Sequence, residues 1–139
     1  MRFTNAFGSR LFAQGLYANI FSTQTGSEEY MGKKFFKVSD KETLEKLLTI
    51  SRDRPVLVFK HSNACAISSR AYREMEQLDD VNLLEVQSAR ELSNRLAELT
   101  GVEHETPQVI VLRDGRAVWN ASHYDVNVAA VTKALQSIS

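Results

Sequence analysis

Apolar residues recur along this chain with two periods, and the changes between them mark the elements. Lys34 to Val38 reads as a short strand. Ser39 and Glu42 have the spacing of a capping box, and Leu44, Leu47 and Leu48 follow on one face, which predicts a helix from Asp40 to about Ser51. After Pro55 the run Val56-Leu57-Val58-Phe59 is apolar at every position, as a central strand covered on both faces requires. The polar segment His61-Ser62-Asn63-Ala64 leads to Cys65, and Ile67, Ala71, Met75 and Leu78 then take helical spacing. Val81 to Val86 is the next strand. Ser88 with Glu91 forms a second capping box, before a helix striped by Leu92, Leu96 and Leu99 and stopped at Gly101. Val109-Ile110-Val111-Leu112 and Ala117-Val118-Trp119 flank Asp114-Gly115, a strong hairpin signal. Asp125 is expected to cap a last helix lined by Val128, Val131 and Leu135.

The order after Ser39 is α, β, α, β, α, β, β, α, so the chain is of the α/β class. Alternation predicts parallel pairing, with the final hairpin adding an antiparallel edge to a mixed sheet. There is no internal repeat, low-complexity stretch or second domain. The expected boundaries are an N-terminal extension over residues 1–31 and one domain over 32–139. From Met1 to Ser27 there are two arginines and no acidic residue, and Phe3, Phe7, Leu11, Leu16 and Ile20 lie near one helical face. A flexible tail, a start codon assigned upstream of Met31-Gly32, a helix lying on the domain or a partner, and an organelle targeting peptide all fit this segment.

Composition narrows the function classes. With 17 Lys+Arg against 17 Asp+Glu, the 139 residues carry no net charge, which argues against a nucleic-acid binder. No apolar run is long enough to span a membrane. A single cysteine excludes an internal disulfide, and a cytoplasmic location is expected, with organelle targeting by residues 1–27 as the alternative.

That cysteine is the leading chemical candidate. Cys65 stands between a buried strand and a helix, where unpaired amides and the helix dipole favour a thiolate. A drop in pKa from about 8.5 to about 6.5 raises the ionised fraction at pH 7 from roughly 3% to roughly 75%. Lys60, His61 and, before Pro107, His104 are candidates for added positive charge. Ser68 is one turn along, where its hydroxyl can reach the sulfur. The competing reading is a buried cysteine that acts as a small hydrophobe. Thr106-Pro107 opens the fourth strand; a proline there is often only an edge or entry residue, while in a fold of this order a cis proline at that place commonly faces the helix-start cysteine.

The element order, the strand-loop-cysteine-helix junction and Thr106-Pro107 resemble a thioredoxin fold. The detail resembles the YtxJ-like monothiol bacilliredoxins, a family of the thioredoxin superfamily. The resemblance rests on Val58-Phe59-Lys60-His61-Ser62, Cys65-Ala66-Ile67-Ser68, Arg70-Ala71-Tyr72 and Leu92-Ser93-Asn94. It also rests on His104-Glu105-Thr106-Pro107-Gln108-Val109 and Trp119-Asn120-Ala121-Ser122-His123, and it covers about Lys34 to Ser137. It implies removal of a low-molecular-weight thiol of bacillithiol type from mixed disulfides on S-thiolated client proteins. Cys65 would be the attacking thiol and Ser68 would take the place of a resolving cysteine. Asn63, Ala64, Ala66, Thr106 and Pro107 would contact the substrate. The small thiol would be a co-substrate, with no tightly bound cofactor and no metal. The family has Thr before the cysteine and Pro after it, where this chain has Ala64 and Ala66. Alanine at the first helical position adds an amide that proline lacks.

Other chemistries fit less well. A phosphatase loop needs Cys-x5-Arg, and Arg70 comes one residue early. A peroxidatic site has Thr where Ser62 stands. His104 and His123 are candidates for a Cys–His pair, His123 also reading as a satisfied residue near the last helix cap. Metal ligands are scattered, and Trp119 reads as sheet packing. A monomer is expected, with a disulfide-linked or cluster-bridged dimer through Cys65 as the variant. The alternative to exchange is a non-catalytic module that binds peptides along the Pro107 loop or senses redox state.

Overall fold

A computed structural model describes residues 35–139, so the readings of residues 1–31 lie outside the described residues. The elements are β1 (Phe35–Lys37), α1 (Lys41–Ile50), β2 (Val56–His61), α2 (Ala66–Met75), β3 (Val81–Glu85), α3 (Arg90–Thr100), β4 (Gln108–Arg113), β5 (Arg116–Ser122), a 3-10 turn (His123–Asp125) and α4 (Val128–Ile138). One sheet runs β1-β3-β2-β4-β5. Strands β1 and β2 flank β3 in parallel, β4 lies antiparallel on β2, and β5 antiparallel on β4. The antiparallel part is therefore more than an edge, because β4 lies inside the sheet and pairs directly with β2.

The middle position of β2 explains its composition. All six of its residues are buried, and alternate side chains enter opposite layers. Val56 and Val58 join Leu44 and Leu47 of α1 and Leu96 of α3. Leu57 and Phe59 join Ala71 and Met75 of α2 and Val131 of α4, with Trp119 packed against that layer. Burying a side chain such as Phe59 contributes about 1.5–3 kcal/mol relative to exposure. Helices on both faces of a sheet three strands of which are parallel give the thioredoxin fold.

The turns follow the sequence more closely than the caps do. Asp114 and Gly115 have φ of 57° and 74°, as a two-residue hairpin matched to strand twist requires, and Gly101 ends α3 at φ 74°. Each predicted cap is displaced. Helix α1 is capped by Asp40, not Ser39, because helical backbone begins at Lys41 and the Asp40 carboxylate accepts from the Thr43 amide at 2.7 Å. At α3 the cap position holds Ala89, which packs into the core, while the Ser88 hydroxyl turns back to the Glu85 carbonyl. Asp125 lies in the 3-10 turn, and Asn127 caps α4 by accepting from the Ala130 amide at 2.9 Å.

Candidate active site

Strand β2 delivers the chain to the C-terminal edge of the parallel strands, where open α/β sheets commonly place their sites. Residues 62–65 then turn the backbone into α2. This turn is tied from both sides. The Ser62 amide donates to Ser68 Oγ at 3.3 Å, and Gln87 Nε2 donates to Ser62 Oγ at 2.6 Å. The amide of Asn63 donates to Gln87 Oε1 at 3.4 Å. Sequence reasoning missed Gln87. Its position just past β3, beside the end of β2, is the signal that could have found it.

Cys65 occupies the N-cap position of α2 with extended backbone, φ −125° and ψ 128°, and is partly exposed. Its side chain closes no cap hydrogen bond. The amide of Ser68, then that of Ile67, hold its pKa below the ordinary thiol value; desolvation opposes them, and the Ser68 hydroxyl adds a lowering smaller than that opposition. Ser68 itself is fully buried, while Asn63, Ala64 and Ala66 are exposed around the cysteine.

The loop that leads into β4 lies beside the end of β2, where Lys60 pairs with Gln108. The Thr106–Pro107 peptide is cis, Thr106 is partly exposed and Pro107 is buried. The His123 amide donates to the Pro107 carbonyl at 2.8 Å, tying the 3-10 turn to this loop. His123 also faces Glu105 at 3.5 Å. His104 is held between Ser93 Oγ, 2.9 Å from Nδ1, and Thr106 Oγ1, 3.3 Å from Nε2. Under the loop, fully buried Lys60 donates from Nζ to Gln108 Oε1 at 2.9 Å, and Gln108 Nε2 donates to the Glu103 carbonyl at 2.9 Å.

The positive charge expected from Lys60, His61 and His104 is not what lowers the Cys65 pKa. Burial brings Lys60 down to about 8, against the pull of Glu105. Burial likewise lowers His61, opposed by Glu85, and lowers His104 with help from Lys60 and Arg90. The groups that depress the thiol are local amides and a hydroxyl, and no charged side chain is among them. No hydrogen bond joins Cys65 to His104 or His123 among the described residues, so the Cys–His pairing has no geometry behind it. Among those residues no three His, Cys, Asp or Glu side chains gather as metal ligands, and no helix is long and apolar enough to cross a membrane.

Residues 36–131 match the family model described as monothiol bacilliredoxin BrxC. A solved protein with a thioredoxin fold, put forward as an oxidoreductase, is 33% identical, with 76% of this chain covering 96% of that one at a TM-score of 0.67. Thioredoxin from Fasciola hepatica is 15% identical over 75% of this chain and 99% of its own, TM-score 0.60. Spinach chloroplast thioredoxin f, short form, is 19% identical over 76% and 93%, TM-score 0.57. These last two share the fold alone. The partly exposed cysteine at a helix start, the cis Thr106–Pro107 peptide that enters β4 beside the end of β2 and the match over 36–131 lead to one conclusion: this chain belongs to the monothiol bacilliredoxin family and has the thioredoxin fold.

Proposed function

We propose that this protein is a monothiol thiol–disulfide oxidoreductase of a reducing, cytoplasmic compartment. It lifts a low-molecular-weight thiol of bacillithiol type from mixed disulfides on client proteins. The Cys65 thiolate attacks the small thiol's sulfur. A disulfide forms between Cys65 and the small thiol, the client–small-thiol bond breaks, and the client leaves as a thiolate that takes up a proton. A second small-thiol thiolate then attacks the sulfur carried on Cys65. This forms the symmetric small-thiol disulfide and returns Cys65 as a thiolate.

The observation that carries this reading is the helix-start thiol, solitary, partly exposed and depressed in pKa by amides. A protein with one cysteine cannot resolve the adduct internally, so the second thiol comes from solution. Ser68 keeps the place of a resolving residue without its sulfur, and its hydroxyl supports the thiolate. Asn63, Ala64, Ala66, Thr106 and Pro107 form the rim against which the client rests.

Alkylation by iodoacetamide as a function of pH tests the reading. The expected midpoint lies clearly below the ordinary thiol value of about 8.5. A midpoint at or above that value leaves a peptide-binding module with an ordinary thiol. Mass spectrometry of Cys65 after oxidant stress in the native cell then identifies the small thiol by its added mass.

A further inference from the structure

Lys60 is fully buried in the middle strand β2, and the exchange proposed above makes no use of it. Enclosing an ammonium costs stability, and an apolar side chain of similar length would avoid that cost. Packing alone therefore does not explain a lysine at this position. Its hydrogen bonding does.

Lys60 pairs with Gln108 across β2 and β4, and both side chains enter the layer that holds Val58 and Ile110. Gln108 directly follows Pro107. Its amide has an oxygen end and a nitrogen end, and its neighbours demand one orientation. At pH 7 the Lys60 ammonium only donates, so Gln108 Oε1 must face it, as it does at 2.9 Å. Nε2 is thereby turned the other way, to donate to the Glu103 carbonyl at 2.9 Å and to Ser122 Oγ at 3.4 Å. Glu103 lies near the start of the loop that Pro107 closes. Ser122 ends β5, and the next residue, His123, donates its amide to the Pro107 carbonyl at 2.8 Å. The charge on Lys60 also acts on Glu105 and His104 of the same loop. Through one amide, Lys60 bears on both flanks of the cis Thr106–Pro107 peptide.

We propose that Lys60 is a positioning residue for client binding: by fixing the orientation of the Gln108 amide, it holds residues 103–107 in the shape against which the client rests. This inference rests on client exchange at Cys65 as proposed above. Lys60 acts on affinity for the client and not on the thiol, whose pKa is set by local amides. A loop already held in place has less freedom to lose when the client arrives.

The test uses the whole chain and a model peptide joined to 2-mercaptoethanol through a mixed disulfide. Transfer of mercaptoethanol to Cys65 is followed in single turnovers at pH 7 over a range of peptide concentrations. Lys60→Met raises the half-saturating concentration about fivefold, the scale of one net hydrogen bond, and leaves the maximal rate nearly as it was. Gln108→Glu keeps an acceptor for Lys60 but sets a second oxygen against the Glu103 carbonyl, and it gives a rise of similar size. Iodoacetamide alkylation of Lys60→Met shows the wild-type midpoint. Asp40→Ala, destabilised at the cap of α1, keeps the wild-type half-saturation, which separates positioning from loss of stability. Half-saturation unchanged in both Lys60→Met and Gln108→Glu overturns the positioning role. So does a rise in Asp40→Ala as large as theirs, or a shifted alkylation midpoint in Lys60→Met. Exchange at Cys65 survives each of these results. Absence of transfer in the wild type overturns exchange, and the positioning role with it.

Discussion

Helices α1 and α2 both begin in extended backbone, and they treat the same unpaired amides in opposite ways. At α1 the Asp40 carboxylate accepts from the Thr43 amide at 2.7 Å, and the terminus is closed. At α2 the residue in that position is Cys65, whose side chain closes no bond. A closed cap contributes about 1 kcal/mol of stability. An open one leaves its amides facing the sulfur, where they favour the thiolate. The dipole is the same in both helices, and the capping residue decides whether it stabilises the fold or activates a nucleophile.

The largest expected effect comes from closing the open terminus. Cys65→Ser removes the only sulfur nucleophile, so transfer of a small thiol from a client falls to the uncatalysed background. Serine is a good N-cap, so the variant unfolds within about 1 kcal/mol of the wild type. Transfer assays and urea titration on the same samples check both halves. Residual exchange in the variant would locate the chemistry elsewhere.

Lys60 is the reverse case, a charge that is enclosed and bonded to Gln108. Its pKa of about 8 in the folded protein is below the ordinary 10.5, so between these values the unfolded chain binds a proton that the folded chain does not. Stability from this group therefore rises with pH across that window, and its burial penalty applies in full below pH 8. Wild type should gain on Lys60→Met from pH 8 to 10.5, by on the order of 3 kcal/mol if no other group compensates. Urea titrations of both proteins at several pH values measure the change. A constant difference would mean that the folded protein keeps its ammonium protonated through this range.

These two groups also show what was legible in the sequence. The unbroken apolar run of β2 and its position before Cys65 were enough to indicate a central strand that ends at the site, because strand burial depends on side-chain type at every position. The hairpin at Asp114-Gly115 was legible because few residues tolerate positive φ. The caps were not, since Ser39 and Asp40 are both good cap residues and only the backbone shows where helical geometry starts. The ionisation of Lys60 and His61 was also hidden. It depends on burial by residues distant in sequence, such as Gln108 and Tyr72, and neighbouring cations on a strand do not reveal it. Gln87 was missed because its contact with Ser62 spans two strands.

Asp40→Ala sharpens the comparison from the closed side. It should cost about 1 kcal/mol by urea titration, with the Thr43 amide left to solvent. The alkylation profile of Cys65 should not move, because the two termini share no residue. A shifted profile would mean that the closed cap also acts on the thiol.

The smallest effect should come from Ser68→Ala, which separates the amides from the hydroxyl at the open terminus. The Ser68 amide remains and ranks first among the groups that lower the Cys65 pKa, with that of Ile67 next. The hydroxyl contributes less and also accepts from the Ser62 amide at 3.3 Å. Its loss should move the alkylation midpoint slightly upward, short of the ordinary thiol value, and loosen the turn before Cys65. A full return to about 8.5 would assign the activation to the hydroxyl. The contrast between open and closed helix termini would then not explain why this cysteine is reactive.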